Sequence, residues 1–158
     1  MDRKLDCKGE TLTLKEQLIL HEGRVLKPYS CTVGHRTIGV GHNYDANPLP
    51  EDIAEYLKKH GFITNEMADR LLDADIEQAR KGCLKLYPGF NDFPCSKQKA
   101  LIDLCFNLGY GGLKSFINTN RHINAGNWSR AAANLRKSLW AQQVGQNRVN
   151  RICKLLEG

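Results

Sequence analysis

One run limits the possible folds more than any other: TNEMADRLLDADIEQARKGCLKLYP, residues 64–88. Met67, Leu71, Leu72, Ile76, Ala79 and Cys83 recur in it at helical spacing. A helix of more than ~20 residues is ~30 Å long, as long as a small domain is wide. In a chain of 158 residues such a helix is expected to link two lobes.

The stretches on either side differ in pattern. Before the helix, residues 11–21 read as a short amphipathic helix, with Thr13 and Glu16 at capping-box spacing and Gly23 as a stop. CTVGHRTIGVGH, residues 31–42, alternates β-branched residues with Gly34, Gly39 and Gly41 and predicts a hairpin or small three-stranded sheet. NYDANPLP is a loop, and EDIAEYLKKHG is a helix ended by Gly61. After the long helix, PGFNDFPCS is turn-rich. SKQKALIDLCFNLGY, LKSFINTNRHINAG, WSRAAANLRKSLWAQQ and QNRVNRICKLLEG then each carry a helical pattern. The expected class is α+β, mostly α. A lobe over 11–63 holds the sheet, a helix over about 65–86 links it, and a helical lobe covers about 96–158.

Composition excludes several alternatives. Hydrophobic residues make up 41% and charged residues 25%, as in an ordinary globular protein. No apolar run nears the ~18 residues a membrane span needs. The first residues are charged and lack a signal-peptide core, so synthesis in the cytoplasm without membrane insertion is expected. Six cysteines are scattered, with neither a CxxC pair nor zinc-finger spacing. An even count suits disulfides in a secreted chain, but no export signal supports that, so most are expected as free thiols, Cys83 and Cys105 in the core. No metal or cofactor is implied, and the chain is expected to act as a monomer.

Charge is uneven. Residues 96–158 carry ten basic and two acidic side chains, whereas residues 1–95 carry 13 and 15. A basic half suits an anionic partner. Nucleic acid is one such partner, but no binding motif or interleaved aromatics accompany the charge, and none is expected. An acidic membrane surface and an anionic wall polymer are the others.

The chemistry concentrates in HEGRVLKPYSCTVGHRTIGVGH, residues 21–42. Glu22 stands at the end of the first helix, Cys31 nine positions later and Thr37 six beyond that. A returning hairpin brings both back opposite Glu22. A glutamate partly buried on a cleft wall has a raised pKa and can act as a general acid. Glycosidases need two groups about the scissile bond, one giving a proton and one handling water or the anomeric carbon.

This segment resembles the active-site segment of the phage-type lysozymes, glycoside hydrolase family 24, with the T-even phage lysozyme fold. The family pattern places an aspartate after a Glu-Gly pair, then Thr-Ile-Gly-x-Gly-His. Here Glu22-Gly23, Cys31 and Thr37-Ile38-Gly39-Val40-Gly41-His42 follow it without a gap. FNLGYGGLKSF (106–116), NWSRAAANLRKSLWAQQ (127–143) and NRVNRI (147–152) resemble three further family segments in order. The similarity covers residues ~12 to 153.

The resemblance implies an endolysin that cleaves the β-1,4 bond between N-acetylmuramic acid and N-acetylglucosamine in peptidoglycan. It would wait in the host cytoplasm until a holin permeabilises the membrane. Glu22 would be the acid, Thr37 would hold the attacking water, and Arg148 would orient Glu22. His42 would pair with Asp75 on the linking helix, and it is also placed with Phe106, Asn107 and Asn134 among residues in reach of the saccharide. Asn107 is shorter than the glutamine usual there. Cys31 stands where the family commonly has aspartate, although members with Glu-Cys-Thr exist. A thiolate can serve as base or nucleophile; a neutral thiol can only help to hold water. The alternative is a catalytically inactive protein that keeps the glycan cleft. Trp128 and Trp140 are expected in the core rather than as sugar platforms.

Overall fold

The computed structural model describes residues 5–31 and 34–158. Residues 32 and 33, within the hairpin expected over 31–42, lie outside the described residues. The protein is α+β and mostly α, with one small antiparallel sheet. Its elements run α1 (Leu14–Glu22), β1 (Val25–Ser30), β2 (Arg36–Gly39), β3 (His42–Asn43), α2 (Glu51–His60) and α3 (Asn65–Leu86). A 3-10 turn at Phe90–Asp92 precedes α4 (Cys95–Lys114), α5 (Ile117–Asn124), α6 (Trp128–Arg136), α7 (Leu139–Gln143) and α8 (Gln146–Glu157).

Two compact units divide the chain. The β unit is Lys15–Asp75, and the helical unit combines residues up to Leu14 with Ile76–Gly158. The residues up to Leu14 pack with the helices. Their attachments explain this. Cys7 is disulfide-bonded to Cys95 at the head of α4. The buried Lys99 ammonium donates to the Leu12 carbonyl at 2.7 Å and pairs with Glu10. A buried lysine needs such partners to remain charged.

In the β unit the sheet order is β1-β2-β3. Ile38, Ile53, Ile63, Ala68 and Leu71 form its core, with Leu26 and Leu57 packed against them. Gly61 ends α2 at φ +78°, its N–H bonded to the Leu57 carbonyl at 2.7 Å. Thr64 then caps α3, its hydroxyl accepting from the Met67 N–H at 3.1 Å.

The helical unit is organised on α4. Residues 97–105 of that helix are all buried, as befits a central helix with neighbours on every side. α8 packs on α4 and α6, and α5 packs on α6. Two boundaries differ from expectation. Gly109 leaves helical geometry at φ +76°, ψ 164°, yet the helix resumes and runs on to Lys114. The WSRAAANLRKSLWAQQ run breaks into α6 and α7 because Ser138 turns extended and its hydroxyl caps the Ala141 N–H at 3.3 Å. Trp140 is buried, and Trp128 packs edge-on against Phe93 at 4.9 Å.

Four cysteines lie outside any disulfide, and Cys83 and Cys105 are buried as expected. The Cys7–Cys95 bridge was not foreseen. It spans 88 residues, and a loop of that size loses enough unfolded-state entropy to stabilise the fold by about 4.5 kcal/mol on the loop-entropy model. Reduction, or Cys7→Ser, should lower the melting temperature by about 10 °C, since ~1 kcal/mol shifts a chain of this size by ~2–4 °C. Scanning calorimetry with and without dithiothreitol checks this; an unchanged transition would show that the bridge does not stabilise the fold.

Candidate active site

Helix α1 delivers Glu22 as its last residue, half-buried. Gly23 closes the helix at φ +77° with its N–H on the Ile19 carbonyl at 2.7 Å. The carboxylate then lies against the bare backbone of Gly41. A Cβ placed there would sit 2.6 Å from Glu22 Oε1, closer than atoms pack, and Gly41 itself has φ +62°. Glycine is thus required at 41 by both the turn and its close approach to the glutamate. This links two parts of the TIGVGH motif: Gly41 makes room for Glu22, while Thr37 opens the same run.

Cys31 follows β1 directly. Its N–H donates to the His35 carbonyl at 2.9 Å, and its own carbonyl accepts from the Gly34 N–H at 2.8 Å. The thiol is half-buried and outside any disulfide. Thr37, on β2, is buried, and its hydroxyl donates to the His35 carbonyl at 3.0 Å. With the proton so used, the oxygen's lone pairs can accept from a water. The His35 carbonyl therefore holds both residues.

Tyr29 was not singled out in the sequence and also belongs here. It stands directly opposite Thr37 in the β1–β2 ladder, which puts both side chains on one face. Its phenol pKa is raised, first by burial and then by the charges of Glu22 and Cys31 nearby. The only signal in the sequence was Pro28 within the strand, a mark of an irregular ladder.

His42 is corrected as a sugar contact. The ring is buried, with Nδ1 at 2.6 Å from Asp75 Oδ2 and Nε2 at 2.8 Å from the Asn47 carbonyl. Both nitrogens are occupied by protein, so none is left for a saccharide. The pairing with Asp75 is present in the structure. Burial works against charge on the ring, but the Asp75 hydrogen bond and charge and the Asn47 carbonyl outweigh it and raise the pKa.

A raised folded pKa stabilises the fold fully below the unfolded value near ~6.5. The contribution is lost as pH rises through the higher folded value. Asp75→Asn should therefore cost about 2 kcal/mol at pH 6. The gap from wild type should narrow at alkaline pH. Thermal unfolding of both proteins from pH 5.5 to 9 reads this, and a gap independent of pH would mean that the imidazole is not charged in the folded state.

The other residues considered lie in the helical unit. Asn107 is exposed on α4, and its Oδ1 accepts from the Trp140 indole N–H at 2.7 Å; Phe106 beside it is half-buried. Asn134 Oδ1 accepts from the Thr119 hydroxyl at 2.5 Å. Asn134 lines a cavity of about 550 Å³ together with Leu108, Phe116, Ile117, Leu139 and Trp140. Arg148 is buried, and its Nε and Nη2 donate to Asp103 Oδ1 at 3.0 and 2.7 Å. Asp103, fully buried on the central helix, is a partner the sequence did not reveal. It fixes the guanidinium within the helical unit.

Among the described residues no three His, Cys, Asp or Glu side chains gather as metal ligands, and no helix is long and apolar enough to cross a membrane.

Comparison with known proteins agrees with this geometry. The pattern of the family described as phage lysozyme matches residues 20–154. The pre-baseplate central spike protein Gp5 of Enterobacteria phage T4 is 31% identical over 159 residues, covering 92% of this chain and 28% of that protein. This chain thus spans under a third of the spike protein's length. Probable T4-type lysozyme 1 of Dictyostelium discoideum is 26% identical over 160 residues, covering 92% of this chain and 94% of that protein. The endolysin of Bacillus phage B103 is 32% identical over 127 residues, covering 79% and 43%. With that match over most of its length, the chain belongs to the phage lysozyme family, whose members are lysozyme-like glycosidases.

Proposed function

We propose that the protein is a muramidase that hydrolyses the β-1,4 bond between N-acetylmuramic acid and N-acetylglucosamine in peptidoglycan and so lyses the host cell. The observation that carries this reading is the placement of the Glu22 carboxylate against Gly41, in the same unit as Cys31 and Thr37.

Glu22 gives its proton to the glycosidic oxygen, and the leaving sugar departs as a neutral alcohol. Water completes the reaction at the anomeric carbon. Thr37 accepts a hydrogen bond from that water. Cys31 as thiolate takes its proton, or attacks the anomeric carbon itself and is displaced by water afterwards. The basic surface of residues 96–158 favours approach to an anionic wall. Access follows permeabilisation of the inner membrane by a holin.

A second reading, a glycan binder without turnover, is favoured by one observation only: a thiol stands where the family commonly has a carboxylate. Clearing of outer-membrane-stripped Gram-negative cells, with new reducing ends in the supernatant, separates the two. Turbidity that holds steady while the protein co-sediments with the walls would establish the binder.

A further inference from the structure

Strand β1 does not pair regularly with β2. Val25 opposes Gly39 and Tyr29 opposes Thr37, so four steps on β1 are matched to two on β2. The irregularity contains Pro28, which has no N–H to give to a ladder. In a regular ladder Lys27 would stand opposite Thr37. The extra residues move Lys27 out to solvent, where it is exposed, and put the half-buried Tyr29 in its place. Leu26 meanwhile joins the Ile38 core, so Tyr29 and Thr37 occupy the sheet face turned away from that core. Cys31 follows the strand directly, its N–H on the carbonyl of His35, two residues before Thr37, at 2.9 Å.

We propose that Tyr29 is a positioning residue of the catalytic centre, its phenol O–H serving as a neutral hydrogen-bond donor to the Glu22–Cys31 pair. The proposal rests on the hydrolytic reading above and adds a residue to it.

The chemistry needs such a group. Glu22 becomes an anion as it gives up its proton, and Cys31 acts only as an anion. Two anions in one site repel, and each needs a donor that carries no negative charge of its own. A phenol donates without adding charge. Burial and the two neighbouring acids keep it protonated. Nearby, Arg24, Arg36 and His42 are engaged by Asp69, Asp45 and Asp75 at 2.8, 2.7 and 2.6 Å, and His21, Lys27 and His35 also lie on the adjoining residues.

The test reads the sulfur directly. Iodoacetamide reacts with the thiolate, forming an S–C bond and releasing iodide, and the peptide carrying Cys31 is followed by mass spectrometry without any substrate. Tyr29→Phe should slow Cys31 alkylation at pH 7 by about threefold to tenfold and move its pH midpoint upward. It should also lower kcat about tenfold with KM little changed.

Site-specific 3-fluorotyrosine at position 29, a stronger donor of the same shape, should speed alkylation at pH 7. This second variant reads the proposal even if the phenylalanine protein folds poorly. Unchanged alkylation in both variants would overturn the proposal, as would a loss of melting temperature alone. Wild type that alkylates as expected but clears no cells would instead count against the hydrolytic reading, leaving the role of the phenol intact.

Discussion

Glu22→Gln should abolish clearing of stripped cells, with activity down at least ~100-fold, the usual worth of a general acid. The amide keeps the length and planar end of the carboxylate, so it fits the space over Gly41 that a Cβ would fill. What it lacks is a proton acidic enough to transfer. The melting temperature should stay within a degree or two of wild type, because the change leaves both cores untouched. The effect should fall on kcat and spare KM, since only the transition state uses the proton. A folded Glu22→Gln protein that still clears cells would remove Glu22 from the mechanism. Gly41→Ala offers the converse control: it leaves the carboxyl in the chain but drives its oxygen off the position 2.6 Å away.

Replacing Cys31 should produce a graded series. A carboxylate and a thiolate can both take a proton from water or approach an anomeric carbon. A methyl group can do neither, and a hydroxyl is a far weaker base and nucleophile at neutral pH. Cys31→Ala should lose most activity, Cys31→Ser should be nearly as poor, and Cys31→Asp should retain a substantial part. Among the free thiols Cys31 is half-buried while Cys83, Cys105 and Cys153 are buried, so an alkylating reagent should inactivate wild type and spare Cys31→Asp. Full clearing by Cys31→Ala would deny the thiol any chemical role and leave Glu22 and Thr37 to carry the reaction.

These residues were legible in the sequence because their geometry is local. Glu22 sits where α1 must stop for Gly23, and Thr37, Gly39 and Gly41 lie in one short run whose β-branched and glycine pattern implies a hairpin. His42 illustrates the boundary. Its partnership with Asp75 was expected from the resemblance, but its unsuitability as a sugar contact appeared only when Asn47 was found on the other nitrogen.

What stayed hidden depends on distant or cumulative effects. Tyr29 reaches the site through a register shift, and register is a property of two strands together. Asp103 lies 45 residues from Arg148, inside a helix whose other buried positions read simply as core. Cys7 and Cys95 are 88 residues apart with no spacing motif to join them. The split between α6 and α7 turned on one serine, whose hydroxyl competes with the helix for a single amide.

The division of the chain into a continuous β unit and a helical unit made of two separate stretches has a consequence for the order of events at the ribosome. The β unit is complete in sequence by Asp75, so it can close while synthesis continues. The first stretch cannot settle, because its anchors Cys95 and Lys99 arrive much later. At ~5–20 residues per second the 88-residue interval lasts roughly 4–18 s. During it, Cys31 and Cys83 are made before the correct partner of Cys7. An oxidant acting on the growing chain would therefore offer Cys7 wrong mates first, and one of them is the thiol of the active site. Completion under reducing conditions, with oxidation only after release, removes that competition. By then the folded helices hold Cys95 beside Cys7 and keep Cys83 covered.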